Sequence, residues 1–376
     1  MKKLLLILFT PILLLTSCSK SNVTPNTTPT PHTYINHPDS TLTIILDANF
    51  EQVLINLGYD NNLNGSVYTA SIDTVKNLQL TSLGSPKITD LTGIENFTAL
   101  TYLDCSENRL TSLYLSRNTA LTYLNCYYNI QLTSLDVSGA TALTELNCDV
   151  NQLTSLDVSN NLALTKLMCN NNQLTSLDVS NNLALTELKC WSNQLTSLDV
   201  SNNLALTKLM CENNQLTSLD VSNNLALTEL KCRHNQLTSL DVSGATALTE
   251  LVCYNNQLTS LDVSNNLALT KLLCEYNQLT SLDVSANTVL ISLRCYYNQL
   301  TSLDVSNNLA LTNLYCNSNQ LTSLDVRNGN NTNFTYYSFE SNPNLTCINV
   351  DDFQYSYDNW FNTDGQMYFS EDCNAK

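Results

Sequence analysis

Eleven cysteines, Cys105, Cys126, Cys148, Cys169, Cys190, Cys211, Cys232, Cys253, Cys274, Cys295 and Cys316, recur every 21 residues with one 22-residue step. Thiols in such number could pair as disulfides or hold zinc or an iron–sulfur cluster, but metal chemistry needs ligands that converge on one point. A periodic series forms a column and does not converge. The cysteines fill the slot that Val179 and its equivalents fill in the other half of each period, so they should point into a core as small apolar side chains. An odd number stacked with parallel side-chain vectors about 4.8 Å apart favours a ladder of buried free thiols over disulfides. Cys347 and Cys373 stand outside the series in an irregular aromatic segment. A disulfide between them is expected, closing a loop worth about 3–4 kcal/mol by loop entropy.

Ten aspartates, Asp136, Asp157, Asp178, Asp199, Asp220, Asp241, Asp262, Asp283, Asp304 and Asp325, keep the same period. Each lies between an inward Leu and an inward Val and should project outward. Unit charges about 4.8 Å apart repel by about 1 kcal/mol in water, and more at lower dielectric, so the column needs relief. Calcium bound along Asp157 to Asp304 would supply it. So would protonation, or hydrogen bonds from the Thr and Ser of each TSLD on a solvated face. Asp60-Asn61-Asn62-Leu63-Asn64-Gly65 begins like a calcium loop, but the twelfth position is Ser71 where a bidentate Glu is required. A turn rich in Asn and Gly is the better reading. Catalysis is not expected: His32 and His37 sit in a Thr- and Pro-rich stretch, and His234 has no nucleophile and orienting acid to pair with. Eight glycines in all form no phosphate-cradling loop.

The elements that carry these columns follow from one unit, Leu164 to Ala184, LTKLMCNNNQ then LTSLDVSNNLA. Both halves share the skeleton Leu-x-x-Leu-x-(Cys or Val)-x-x-Asn. Neither half alone can bury its leucines, so the halves must stack on copies of themselves. The skeleton resembles the leucine-rich repeat over roughly residues 75–345, and its nested ten-plus-eleven period is similar to the IRREKO-type repeats of bacterial surface proteins. The resemblance implies a mainly β fold, a parallel β-solenoid of 21-residue turns with a short helical N-terminal cap and an irregular C-terminal cap. It also implies that the asparagines three residues after each cysteine, Asn108 through Asn319, turn inward to bond backbone at the bend. Alternation along the strand should bury Leu167 and Cys169 and expose Lys166, Met168 and Asn170. About eleven turns would extend about 50 Å. Strands are expected in the cysteine half, and either strand or extended coil in the aspartate half. Ile130 is a single inserted residue at a bend, which explains the 22-residue step.

The ends differ. Residues 1–17, MKKLLLILFTPILLLTS, read as an export signal, and Leu15-Thr16-Ser17-Cys18 resembles a bacterial lipobox that would make Cys18 the lipidated first residue. Residues 18–40 form a Thr-, Pro- and Asn-rich tether able to reach on the order of 70 Å. Residues 41–99 are assigned to an N-terminal cap and transitional repeat. Within them Asp47 caps a helix carrying Phe50, Val53, Leu54 and Leu57 and stopping at Gly58, and Lys87–Leu100 resembles the internalin style of repeat. The array proper is assigned to residues 100–326. Residues 327–376 form a C-terminal cap plugged by Phe353, Tyr355, Trp360, Phe361 and Phe369.

The formal charge is −17, which argues against nucleic-acid partners. Within the cysteine half the outward positions vary, and they carry Tyr102, Tyr123, Tyr127, Tyr128, Trp191, His234, Tyr254, Tyr276, Tyr296, Tyr297 and Tyr315. Exposed aromatics in a polar setting anchor protein interfaces and also stack on sugars. The alternating row Lys166, Glu187, Lys208, Glu229 is read as setting register and solubility. A monomeric, lipid-anchored envelope protein that recognises or adheres to a protein partner is therefore expected. The alternatives are a carbohydrate-binding lipoprotein and an envelope spacer without a ligand.

Overall fold

The two leucine skeletons of each unit become the two sides of a coil in the computed structural model, which describes residues 41–81 and 86–375. The expected signal, Cys18 and tether lie outside the described residues. The cysteine sides pair into one parallel sheet of 13 three-residue strands, from Asn77–Gln79 through Lys166–Met168 and Glu187–Lys189 to Tyr336–Ser338. Its register sets Leu167 beside Leu188, and Leu188 beside Leu209, so leucine stacks on leucine through every turn. The sheet therefore begins before residue 100 and continues past residue 326. It has more turns than the eleven counted from the cysteines.

The aspartate side is strand only in places. Ser112–Tyr114 pairs with Ser134–Asp136, and Ser218–Asp220 with Ser239–Asp241. Four strands close the C-terminal end in the order Ser302–Asp304, Ser323–Asp325, Cys347–Asn349, Tyr368–Ser370. Sequence that looks irregular after Val326 thus goes on coiling, with Ile348 and Phe369 standing where leucines stood. Cys347 and Cys373 are bonded, with their Cα atoms 5.8 Å apart.

The core is a column of Leu, Cys and Val buried through the length of the array. All eleven repeat cysteines are buried free thiols with 0% exposure. The bend is built by the residue two positions after each cysteine, which takes the left-handed conformation in all eleven turns, with φ between 50° at Tyr297 and 57° at Val150. That twist swings the next residue, the ladder Asn, inward. Asn214 is typical: its Nδ2 donates to the carbonyls of Cys190 (3.0 Å), Cys211 (3.1 Å) and Glu212 (3.2 Å), and its Oδ1 accepts from the Leu195 amide (3.0 Å). One side chain thus ties two turns together and pairs four backbone groups at the bend.

A second asparagine ladder, Asn118, Asn161, Asn182, Asn203, Asn224, Asn266, Asn287 and Asn308, is fully buried on the opposite bend and was not foreseen. Asn203 Nδ2 donates to Val179 and Asn182 carbonyls, both at 3.0 Å. Two turns replace this Asn with Ala140 or Ala245, and each is preceded by a glycine. A Cβ on Gly139 would lie 2.1 Å from the Ser116 oxygen, and one on Gly244 would lie 1.7 Å from that of Ser222. Without the spacing side chain the backbones approach too closely for anything but glycine.

The caps follow the same accounting. Asp47 caps the helix Ala48–Asn56 by accepting from the Asn49 and Phe50 amides, and its other oxygen accepts from Thr89. Burial opposes its ionisation, but these hydrogen bonds outweigh burial and hold the carboxyl below its usual range. Phe50 and Leu54 are buried, whereas Leu57 ends the helix 42% exposed. In the Asn- and Gly-rich turn Glu51 accepts from the amides of Asn64, Gly65 and Ser66, so the segment reads as a turn held by a buried carboxylate. At the other end Trp360 packs on Phe334, Phe339 and Phe369. Phe353 and Phe361 stay exposed and do not join that plug.

Candidate interaction face

The outer side of the long sheet is set by strand alternation and by the left-handed bend beside it. Alternation buries Leu167 and Cys169 and leaves Lys166 exposed and Met168 half-buried. Asn170, expected outside, is buried, because Asp149 one turn earlier accepts from its amide (2.7 Å) and its Nδ2 (3.0 Å). The position after each cysteine therefore lies between its neighbours along the column, whereas the left-handed position after it stands out. Tyr128, Tyr276 and Tyr297 occupy that second position and are 46%, 42% and 50% exposed. The signal was present in the sequence, since Asn171, Asn213 and Asn255 hold the same place and asparagine tolerates this conformation.

The structure divides the expected aromatic face in three. Tyr102 stacks on Tyr123 with centroids 4.5 Å apart, and Tyr127 touches Tyr128, at the N-terminal end. Trp191 lies half-buried in mid-array, its amide donating to the Asn170 side chain. The largest group is C-terminal. His234 packs edge-on to Tyr254, Tyr276 stacks on Tyr297 at 4.7 Å, and Tyr296 touches Tyr276, Tyr297 and Tyr315.

Charged residues that sequence reasoning missed thread this group. Arg233 lies over Tyr254 with its guanidinium 5.4 Å from the ring centroid, donates to the Tyr254 hydroxyl, and approaches Glu212 at 3.7 Å. Arg294 lies 5.3 Å over Tyr315. Burial pushes the Glu212 and Glu275 carboxyls up, against the opposing pull of Arg233 on the first and of Arg294 and the Tyr296 hydroxyl on the second. Burial, with Glu275 beside it, pushes the Tyr296 phenol up to about 12. Beyond Tyr315 the face opens into a cleft of about 610 Å³, lined by Arg294, Tyr296, Tyr336, Tyr337, Glu340 and Asn362 among others. Tyrosine faces with a guanidinium, a carboxylate and a carboxamide can stack on a planar or ring-shaped group and hydrogen-bond its edge.

The aspartate column is arranged differently from the expectation. The Oδ1 of each carboxylate accepts from the amide of the residue two positions on, such as Ser180 for Asp178 and Ser201 for Asp199, both at 2.9 Å. The relief comes from the serine after the valine, not from the preceding Thr-Ser. These serine hydrogen bonds hold the carboxyls of Asp157, Asp178, Asp199, Asp241, Asp262 and Asp283 below the usual range. Asp325 is lowered too, its burial offset by Arg327. Each turn contributes one carboxylate, and among the described residues no three metal-ligating groups gather.

The two sets of carboxyls give opposite pH dependence. The lowered aspartates contribute stability that is present above about pH 4 and lost as pH falls through their folded values. Asp149, Glu212 and Glu275, raised by burial, do the reverse: between neutrality and about pH 4.5 the folded state takes up protons before the unfolded one, and stability rises. The thermal midpoint should therefore climb or hold from pH 7 to about 5 and drop steeply below about 4. A midpoint falling steadily from pH 7 would contradict this assignment.

No protein-family model matches the chain, nor does any curated protein. Solved structures do. The functional domain of InlJ from Listeria monocytogenes, which includes a cysteine ladder, is 35% identical, with 82% of this chain and 67% of that one covered and a TM-score of 0.64. The internalin InlF of the same organism is 23% identical over 88% of this chain and 97% of its own, with a TM-score of 0.68. A leucine-rich repeat protein of Leptospira interrogans, 20% identical over 80% of this chain and 91% of its own, shares the fold with a TM-score of 0.56. The period, the stacked leucines, the buried thiols and the inward asparagines thus have one explanation: the chain belongs to the leucine-rich repeat proteins.

Proposed function

We propose that the chain is a non-catalytic recognition protein of the bacterial cell envelope, anchored by a lipid on Cys18 and binding a protein partner through the C-terminal part of its sheet face. The observation that carries this reading is the grouping of Tyr276, Tyr296, Tyr297 and Tyr315 with Arg294, of which Tyr296, Tyr315 and Arg294 line the cleft. Tyrosine and arginine are the residues that most often dominate binding energy, and here they are held against one another, so little side-chain entropy is lost on docking. The likeness to InlJ, a bacterial protein whose functional domain includes a cysteine ladder, supports an envelope setting. A glycan ligand is a second reading, favoured by Asn317, Asn362 and Glu340 beside the tyrosine rings of the cleft.

The test is a chain carrying Tyr276→Ser, Tyr296→Ser, Tyr297→Ser and Tyr315→Ser, offered to a surface proteome and to a glycan array beside the unaltered protein. Partner capture should fall by at least about thirty-fold, the loss of one strong interface anchor or more. The array distinguishes the two ligand classes. Undiminished capture of the same partner by a folded variant would show that the wrong face was chosen.

A further inference from the structure

Leu162, Leu183, Leu204, Leu225, Leu267 and Leu309 occupy one turn position, just before the cysteine-side strand, and are 59–63% exposed. The fold does not need leucine there. Thr119, Thr141, Thr246 and Thr288 hold the same place in turns that coil alike. Four of the leucines lie on consecutive turns, about 4.8 Å apart, and present on the order of 400 Å² of contiguous apolar surface, a size that marks an interaction site.

Four residues after each of these leucines the strand begins with Lys166, Glu187, Lys208 and Glu229, alternating in sign along the ridge. The lysines are only loosely held within the chain: Lys166 reaches Glu145 at 3.8 Å and Lys208 reaches Glu229 at 3.5 Å, with the lysine side chains 46% and 48% exposed. An alternating row is complementary to itself when reversed.

We propose that the leucine ridge is the interface of a homodimer of antiparallel copies, with the two-fold axis between the turns of Leu183 and Leu204. That register sets Leu183 against the partner's Leu204 and Leu162 against the partner's Leu225. It sets Glu187 opposite the partner's Lys208 and Lys166 opposite the partner's Glu229, each pair occurring twice by symmetry. An axis through the turn of Glu187 or of Lys208 faces like charges across itself. An axis between Lys208 and Glu229 sets Glu187 against the partner's Glu250 and Lys166 against the partner's Lys271. An axis between Lys166 and Glu187 leaves Glu229 against the partner's Tyr123 and sets Leu204 and Leu225 against threonines, so only the register between Leu183 and Leu204 pairs all four charges and all four leucines.

The tyrosine cluster follows the strands whereas the ridge precedes them, so the interface leaves the candidate binding face open. The two copies point their C-terminal clefts in opposite directions. The proposed dimer is modest, since the four leucines supply about half of the roughly 800 Å² per partner of a standard interface.

Sedimentation of the full chain tests this. A reversible dimer with a Kd on the order of ten micromolar is expected. Leu183→Thr with Leu204→Thr uses the residue that other turns already carry; it should raise the Kd at least tenfold and leave the thermal midpoint nearly unchanged. Lys208→Glu should weaken association by a similar factor, and adding Glu187→Lys to it should restore the dimer, because the swapped charges again meet across the axis. A chain monomeric up to about a hundred micromolar overturns the proposal, and so does a dimer indifferent to the threonine pair or not rescued by the swap. Ridge-dependent binding of the monomer to zwitterionic vesicles would assign the leucines to a membrane instead.

Discussion

Replacing Asn214 with leucine is expected to destabilise the protein by roughly 4–6 kcal/mol, far more than the loss of one surface polar group. The side chain is 92% buried, given its 8% exposure, and serves four backbone groups: the carbonyls of Cys190, Cys211 and Glu212 and the amide of Leu195. Leucine matches its size but pairs with none of them. Each stranded buried group costs about 1–3 kcal/mol, with part of the sum recovered as the bend relaxes. Because each turn contacts only its neighbours, the break at one bend should also split unfolding into two steps, one for each side of residue 214. Asn213, one residue earlier, provides the control: it holds the left-handed position, so Asn213→Gly should shift the urea midpoint little. Urea unfolding followed by circular dichroism decides the matter. A loss below about 1 kcal/mol with a single transition would mean the ladder does not support the array.

The eleven repeat thiols should be protected from sulfhydryl reagents by at least about a thousand-fold relative to the unfolded chain. Two effects multiply. A reagent cannot reach a side chain with no exposed surface, and burial, helped by neighbouring thiols and carboxylates, pushes the thiol groups well up, so the reactive thiolate is scarce. Labelling must then wait for turns to open, and should begin at the ends of the array, where openings cost least. In denaturant the count of reactive thiols should rise by eleven. Rapid labelling of Cys190, Cys211 or Cys232 in the native protein would contradict a closed interior.

Much of the fold was legible because the period does most of the work. A 21-residue repeat with two leucine skeletons has few ways to bury its leucines, and stacking in register is the one that satisfies every copy at once. Helix-capping rules sufficed at Asp47, since a cap is a local event within a few residues. Where the leucines gave way to aromatics after Val326, pattern reading saw irregularity although the coil continued through Cys347–Asn349 and Tyr368–Ser370. Ile348 and Phe369 fill the leucine slots by volume, which a motif built on residue identity does not register. The second asparagine ladder was missed because its residues sit in the polar run VSNN, which reads as solvent-facing turn until the opposite bend closes over it.

The candidate site was less legible. Composition placed tyrosines on the variable half but not which of them meet. Tyr127 and Tyr296 share a repeat position, yet one lies in an N-terminal pair and the other in the cluster at the cleft. Glu212, Glu275 and Arg233 passed unremarked as ordinary polar variants, and the two carboxyls became buried, with Arg233 beside Glu212, only once neighbouring turns flanked them.

By itself the sequence determined the period, the inward identity of Leu, Cys, Val and Asn, the outward aspartates and the N-terminal cap, because each depends on residues close in the chain or repeated at constant spacing. Only the tertiary structure decided which aromatics touch, which carboxyls lose their water, which serine relieves each aspartate and which leucines are left outside. Those outcomes depend on what the adjacent turn presents a few ångströms away, and a single turn, read alone, does not contain its neighbour.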